Sequence, residues 1–452
     1  STGSYGEALT VDQTAPVVQS MTASAADDTI TLTYDSELDD TNLPKAADFV
    51  ISQNGVDLDI DTITASGKDL VIKLSSDLVK GPLSVQYTDP TAADDGSAVQ
   101  DAAGNDASSF TQGIVADGYI RGAQIYIDQN DNGKAEPDEL LEGVVTDATG
   151  NFFLPAGAPS GSIIAVGGVN IDTGVPNTTP LVAPAGATTI NPLTTLVSAV
   201  VAKAKEQGQT FDAEEAAGTV AKTLGLDTGG KSLLSYDPIG EAIGDANNNN
   251  AVAAQKAAAQ IATIVTLAAS GDEEAASQVV SNLADTITNS VQADDQATVS
   301  LNDASVLSQA VSGVTEDLAV KNSLADASDA IATAADLTQI TAKQAEFLDK
   351  IAPATPTVAL DKEVTNDAST VKATVTIDVT STDGSGLVVG DTVSLVVNGA
   401  VTSVNKVLDA DDIRLGSIEL DLPGGFSSDG SYDIAAVVVD QAGNRSDTAS
   451  AV

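Results

Sequence analysis

The spacing of apolar positions changes twice along the chain. Short runs in which apolar and polar residues alternate, such as Thr29–Tyr34 and Asp69–Leu74, recur between residues 14 and 117, with Gly, Asp, Asn and Pro between them. Alternation with a period of two, punctuated by turn residues, is typical of antiparallel strands. The same alternation of apolar and polar residues returns after residue 353. The pattern therefore predicts a β-sandwich in each of these two regions.

The stretch between them has two parts. Residues 118–185 still alternate and predict a small β unit, whereas residues 186–352 are rich in Ala and repeat apolar positions at steps of three and four. One such stripe is Ile261, Ile264, Val265 and Ala268. A helix with one apolar stripe buries it against other helices. The second part is therefore predicted to be an α-helical bundle whose stripes form its core.

Two helix starts in this stretch can be placed from capping residues. Asn191 precedes Pro192, which combines a preferred N-cap with a proline at the first helical position. Asp212 is followed three residues later by Glu215, which is the capping-box spacing. We expect a helix to begin at each place.

The predicted fold class is multidomain, with two β-sandwiches flanking a middle region that contains the small β unit and the helical bundle. The predicted divisions are a linker at 1–13, a sandwich at 14–117, the β unit at 118–185, the bundle at 186–352 and the second sandwich at 353–452. Neither end resembles a natural terminus, and the first residues are not a signal peptide. We therefore expect neighbouring domains of the same longer chain as partners.

Charge narrows the range of partners. The 452 residues include 19 Lys and Arg against 65 Asp and Glu, a formal net charge of −46. Such a charge repels nucleic acid and anionic membrane surfaces, so neither is predicted as a partner. The sequence has no run of about 18 apolar residues, so membrane insertion is not predicted. Cations are the expected partners.

Composition also restricts the chemistry. The chain has no Cys and no His, which excludes disulfides, thiol nucleophiles, Cys/His zinc sites and Ser-His-Asp catalysis. Neither a P-loop nor a G-x-S-x-G motif occurs. Among 65 acidic residues many Asp/Glu pairs arise by chance, so their spacing does not identify a catalytic pair of carboxylates. We predict that the protein is not an enzyme. A large acidic chain without thiols fits an exported bacterial surface protein better than a cytosolic enzyme.

One stretch, I-D-Q-N-D-N-G-K-A-E-P-D-E-L, has the spacing of a calcium loop. It matches the pattern D-x-[DN]-x-[DN]-G-x5-E at every specified position. Calcium takes about six to eight oxygen ligands, and in such a loop alternate residues point inward while Gly takes the sharp bend. The predicted ligands are Asp128, Asn130, Asn132, the main-chain carbonyl of Lys134, Glu136 and Glu139, with Gly133 at the bend. The alternative is an acidic turn between two strands.

The residues around this loop modify the prediction. An EF-hand has a helix on each side of its loop, but here Gly122–Ile127 reads as a strand. We therefore expect a fixed structural site rather than a sensor that opens a groove. Two amides replace carboxylates among the predicted ligands, which favours modest affinity of the kind that suits extracellular calcium.

A short D-x-A-G-N motif occurs twice. Asp101 begins one copy and Asp440 begins the other, each near the end of a predicted sandwich. Gly supplies a positive φ and Asp or Asn closes the turn on its own backbone, so one interpretation is a simple hairpin turn. The other interpretation is calcium at a domain junction, with Asp101 and Asp440 as ligands.

Three groups of motifs resemble families of bacterial surface proteins. Leu32–Asp39, Ser84–Pro90 and Val99–Phe110 resemble the SwmB-type repeat of giant surface proteins. Gly390–Gly399 and Val439–Ser446 are similar to the Ig-like modules of long RTX and Bap-type adhesins. The middle region, from the calcium-loop motif to I-N-P-L-T-T-L-V, is similar to segments of calcium-binding surface and RTX proteins.

These resemblances imply two Ig-like sandwiches and a secreted, cell-surface, calcium-stiffened adhesin. Junction calcium in such adhesins implies Asp12 and Asp117 as further metal candidates. The predicted function is structural and adhesive, with calcium stiffening tandem domains. One alternative is a self-assembling surface-layer or filament subunit, in which the helices contact other copies. A less favoured alternative is a glycan- or peptide-binding module that contacts a cell-surface ligand.

Overall fold

The computed structural model describes residues 11–450 except 92, 95, 209–210, 295, 350–352, 363–370, 382–384, 424–429, 441 and 443. Most of the predicted linker, residues 1–10, lies outside the described residues. We call residues 14–117 the first β region, 118–185 the middle β region, 186–352 the helical region and 353–452 the last β region.

The first β region contains eight strands. They are β1 (Val18–Ser24), β2 (Thr29–Tyr34), β3 (Phe49–Gln53), β4 (Val56–Asp57), β5 (Ile60–Ser66), β6 (Asp69–Leu74), β7 (Leu83–Tyr87) and β8 (Phe110–Val115). One sheet has the order β1-β2-β6-β5, and β8-β7-β3-β4 belong to a second sheet. Alternate residues of both sheets, such as Ile30 and Leu32 of β2, Ile51 of β3 and Val85 of β7, point inward and form one apolar core.

The middle β region supplies strands to more than one sheet. Its strands are β9 (Ile120–Arg121), β10 (Gln124–Asp128), β11 (Leu140–Val145), β12 (Asn151–Pro155), β13 (Ser162–Val166), β14 (Val169–Asn170) and β15 (Leu181–Ala183), and β16 (Thr189–Ile190) follows. Strands β11-β10-β13-β15 form their own sheet, and β14 pairs with β9. Strand β12 instead pairs antiparallel with β8, and β16 pairs parallel with β8.

Strand β12 belongs to two cores at once. Its consecutive residues Phe152 and Phe153 point to opposite faces of the sheet, as neighbours in a strand do. Phe153 packs in the core of the first β region, where its ring meets that of Phe110 edge-to-face with centroids 5.2 Å apart. Phe152 packs in the core that joins the middle strands to the helices. The pairing of β12 with β8 crosses the predicted boundary at 117/118, and the pairing of β16 with β8 also crosses the one at 185/186. Both boundaries stay predictions.

Eight helices follow. They are α1 (Pro192–Glu206), α2 (Ala213–Thr223), α3 (Pro238–Gly244), α4 (Asn249–Ala269), α5 (Glu273–Ala293), α6 (Ala304–Ala310), α7 (Leu318–Thr333) and α8 (Leu337–Leu348). Both predicted helix starts are confirmed: Asn191 accepts from the amide of Thr194, and Asp212 forms a capping box with Glu215. An Asn or Asp precedes each of the eight helices. The side-chain oxygen of such a residue satisfies a free amide of the first turn.

Helix α4 is central to the helical region. It packs against α1, α3, α5, α7 and α8. Among the described residues it is the one helix long and apolar enough to cross a membrane by length and composition, and 72% of its most apolar window is buried inside the protein. Its buried Gln260 amide donates to the carbonyl and hydroxyl of Ser328 on α7. The apolar faces of α4 are therefore covered by other parts of the chain.

The last β region has two further sheets. Its elements are β17 (Thr357–Leu360), β18 (Lys372–Thr376), β19 (Thr392–Val397), β20 (Ala400–Val407), α9 (Ala410–Leu415), β21 (Ser417–Asp421), β22 (Ile434–Val439) and β23 (Ala449–Ser450). The sheet orders are β17-β18-β21 and β20-β19-β22-β23, around one core. The short helix α9 was not predicted. The chain is thus multi-sheet, with nine helices in its described part.

Candidate metal site

The predicted calcium loop connects β10 to β11. Asp128 is the last residue of β10, and Glu139 ends a 3₁₀ turn, Pro137–Glu139, immediately before β11. Both side chains are buried, with 3% of Asp128 and 4% of Glu139 exposed, whereas most of the loop between them is exposed. The loop therefore carries one buried carboxylate at each end. Burying a carboxylate is costly unless a cation or hydrogen-bond donors compensate its charge.

Main-chain amides surround the Asp128 carboxylate. Its Oδ1 accepts from the amide of Asn132 at 3.1 Å, and its Oδ2 accepts from the amide of Gly133 at 2.7 Å. The loop can turn back on Asp128 because Asp131 and Gly133 adopt φ of 59° and 72°. Gly has no Cβ to oppose this left-handed conformation, and Asp tolerates it better than most residues.

The other candidate ligands are linked to one another. Glu139 accepts from the amides of Gln129 at 2.9 Å and Glu136 at 3.3 Å. The Asn130 amide donates to the Glu136 carboxylate at 2.6 Å. The Asn132 side-chain oxygen accepts from the amide of Lys134, whose own side chain is exposed. The loop thus brings all six predicted ligand residues into one hydrogen-bonded turn.

These donors suit a hard cation. Every predicted ligand atom is a carboxylate, amide or carbonyl oxygen, which is the kind of ligand that calcium prefers. Among the described residues, no three acidic side chains converge as a metal cluster. The carboxylates of Asp128 and Glu139 instead accept hydrogen bonds from main-chain amides. The chemistry of these donor atoms fits calcium. Occupation of the loop by calcium stays a prediction.

A contact links the loop to the helical region. Asp131, at a non-ligand position of the loop, forms an ion pair with Lys205 in the last turn of α1. Both side chains are largely exposed, so the pair contributes little to stability. It nevertheless places the loop beside the C-terminal end of α1.

The first and last residues of the two D-x-A-G-N motifs make the same hydrogen bonds, although residues 441 and 443 lie outside the described residues. In each, the first Asp accepts from both the main-chain amide and the side-chain amide of the Asn four residues later: Asn105 for Asp101, and Asn444 for Asp440. Burial opposes ionisation of Asp101, but the bonds from Asn105 and main-chain amides outweigh it and lower its pKa. These bonds agree with the hairpin-turn interpretation. Calcium at Asp101 or Asp440 stays a prediction.

A third turn of this kind was not predicted. Asp147 begins D-A-T-G-N between β11 and β12, and it accepts from the amide and side chain of Asn151. Asp147 also accepts from the amide of Met21 in β1 at 3.1 Å. Strand β1 lies at the edge of its sheet. The Asp147 carboxylate therefore provides a hydrogen-bond acceptor for a main-chain amide of this edge strand. The turn therefore attaches the middle β region to the first β region.

Replacing Asp147 by alanine is expected to lower the free energy of unfolding by about 1.5–3 kcal/mol, because several buried amides lose a charged acceptor. Asp101→Ala is the control, since Asp101 closes a turn of the same kind without the bonds that Asp147 accepts from the Met21 amide and the Thr149 hydroxyl. Urea unfolding in the presence of EGTA measures both variants. If the two substitutions cost the same, neither of these two bonds contributes to stability.

Asp117 lies beside a small cavity, lined by both polar and apolar residues, between the middle β region and the helical region. The cavity of about 20 Å³ is also lined by Asn170, Thr173, Thr266 and Gln344, and a space of that size holds about one water molecule. Asp117 accepts from the side-chain amide of Gln344 at 2.8 Å. Asp12, the other junction candidate, is exposed and accepts from the amide of Thr14. Asp12 and Asp117 stay predictions as metal ligands.

Asp117 and Asp172, whose charge acts on Asp117, both have raised pKa values. Burial raises the pKa of Asp117 to about 7, against the Gln344 hydrogen bond and with a further contribution from the charge of Asp172. Burial likewise raises the pKa of Asp172 to about 6. At these two groups the folded protein therefore holds more protons than the unfolded chain between about pH 4 and 7. Stability from these groups is present at acidic pH and is lost as the pH rises through 6 and 7.

We expect Asp117→Asn to exceed the wild type in unfolding free energy by about 1–2 kcal/mol at pH 8 and to match it near pH 4. Asparagine keeps an acceptor for Gln344 and removes the buried charge. The exposed Asp326→Asn on α7 is the control. Chemical unfolding in EGTA across this pH range measures the effect, and a pH-independent difference between Asp117→Asn and the wild type would contradict the assignment.

The first β region has a recognisable family match. Residues 11–92 match a family described as "Putative flagellar system-associated repeat". This supports the SwmB-type resemblance and indicates a repeat protein associated with a surface or flagellar system. The match ends before β8 and covers less than a fifth of the chain. Comparison with curated proteins gave no match.

Proposed function

We propose that this chain is a structural and adhesive segment of a secreted, calcium-dependent bacterial cell-surface protein. In this proposal two Ig-like β-sandwiches flank a helical bundle, and calcium held by residues 128–139 stiffens the tandem domains. The observation that carries the proposal is the pair of buried carboxylates, Asp128 and Glu139, fixed by main-chain amides at the two ends of a loop with a complete calcium-loop pattern. We assign the protein no catalytic role.

The chain's own residues would hold the ion in a defined way. Asp128, Asn130 and Asn132 would offer side-chain oxygens, and Lys134 its carbonyl. Glu136 and Glu139 would complete the set from the other end of the loop. Bound calcium supplies positive charge that offsets part of the formal net charge of −46, which otherwise makes neighbouring regions repel one another.

The position of the loop supports a stiffening role. The loop lies between β10 and β11, and the next connection along the chain is the Asp147 turn that bonds to Met21 of β1. Strand β12 then enters the second sheet of the first β region. A loop ordered by calcium would therefore hold β11 in place, and β11 leads directly into the elements that join the first two regions.

Small-angle X-ray scattering and sedimentation velocity in calcium and in EGTA test this function on the full chain. We expect a monomer in both conditions, with a narrower distribution of dimensions in calcium. Asp128→Ala is expected to remove the difference. Concentration-dependent polymerisation on adding calcium would instead favour the filament subunit, and identical profiles in both conditions would contradict calcium stiffening.

A further inference from the structure

A second loop touches the start of the candidate calcium loop. Residues 156–161 connect β12 to β13, and the first residue of β13, Ser162, pairs with Asp128 at the end of β10. Gly161 directly precedes Ser162 in the chain. The backbone up to and including Asp128 is therefore held in register by β13, while the residues after it belong to the loop.

Gly161 lies against the main chain of Asp128. A Cβ atom added at Gly161 would lie 2.8 Å from the carbonyl carbon of Asp128, closer still to the carbonyl oxygen, and 3.0 Å from Cγ2 of Ile127. The nearest atoms belong to backbone, which cannot rotate away as a flexible side chain does. Gly161 does not have a positive φ. The requirement for Gly at this position comes from close approach of two backbones rather than from its own conformation.

We propose that Gly161 is a positioning residue for the candidate calcium site, because its lack of a side chain sets where the Asp128 main chain, and with it the first carboxylate of the loop, lies. This inference rests on the proposed function. A side chain at residue 161 would move the Asp128 backbone. The Asp128 carboxylate would then shift relative to the amides of Asn132 and Gly133, to which it is bonded at 3.1 and 2.7 Å.

The same connection offers a matched control. Gly157 lies four residues earlier, is exposed, and has no atom within 4 Å of an added Cβ. Gly157 also lacks a positive φ. Gly157→Ala therefore adds the same methyl group to the same loop without touching Asp128.

Isothermal titration of the full chain with calcium chloride tests the proposal. We expect Gly161→Ala to bind calcium about 10- to 100-fold more weakly than the wild type, the usual effect of disturbing the groups that orient metal ligands. Gly157→Ala should bind as the wild type does. Equal affinities for Gly161→Ala and the wild type would overturn the positioning role, as would equal weakening by both substitutions. Absence of binding to the wild type would instead overturn the proposed function.

Hydrogen exchange of the wild-type chain provides a measurement that needs no variant, in case Gly161→Ala does not fold. We expect added calcium to increase amide protection in residues 158–163 together with residues 129–139. Protection confined to residues 129–139 would contradict the positioning role. No change in either segment would contradict calcium binding itself.

Discussion

Replacing Phe153 by alanine is expected to lower the free energy of unfolding of the first β region by about 3–5 kcal/mol, although Phe153 lies outside residues 14–117. The reason is its place in the core of that region. Phe153 is 5% exposed, and its ring continues a series of aromatic contacts from Phe49 through Tyr87 to Phe110. Truncation removes that ring and leaves a cavity between the two sheets.

Urea unfolding gives the size of this effect, and hydrogen exchange locates it. Amide protection should fall in β2, β6 and β7, whose side chains line the same core. The control is Val50→Ala, because Val50 is 52% exposed on β3 of the same sheet and should change stability by less than about 0.5 kcal/mol. Loss of protection restricted to residues 118–185 would show that β12 does not stabilise the first β region.

Asp128→Ala is expected to have two separable effects. In EGTA the substitution should cost about 1.5–3 kcal/mol, because the amides of Asn132 and Gly133 lose a charged acceptor. With calcium at about 100 times its Kd, the wild type should gain about 2.7 kcal/mol and the variant should gain nothing. The difference between the two proteins should therefore grow when calcium is added.

Asp138→Ala separates this effect from a general loss of negative charge. Asp138 is exposed in the same loop and is not a predicted ligand. Its substitution should leave the calcium response intact. Thermal unfolding in calcium and in EGTA measures all three proteins. An equal calcium response in Asp128→Ala and the wild type would remove Asp128 from the site.

Local signals in the sequence predicted the local structure well. Alternation located strands such as Thr29–Tyr34, and capping residues located the starts of α1 and α2. The same kind of signal was available for two features that were missed. Asp409 and Gly416 bracket α9 with an N-cap and a left-handed C-cap. D-A-T-G-N at residues 147–151 differs from D-A-A-G-N at residues 101–105 only at the third residue.

Long-range pairing is what the sequence did not reveal. Both Phe152 and Phe153 read as apolar positions of a strand, but periodicity does not say which strand will be the neighbour. The pairing of β12 with β8 and the contact between Asp117 and Gln344 join residues far apart in the chain. The contact at Gly161 is of the same kind, because a glycine needed for close approach looks like any other loop glycine.

Thermal unfolding of the full wild-type chain in calcium and in EGTA tests whether the loop at residues 128–139 binds calcium. We expect calcium to raise the midpoint of the thermal transition in which this loop unfolds by at least about 3 °C. We also expect the double variant Asp128→Ala and Glu139→Ala to abolish the rise. A wild-type midpoint that is the same in calcium and in EGTA would contradict calcium binding by this loop.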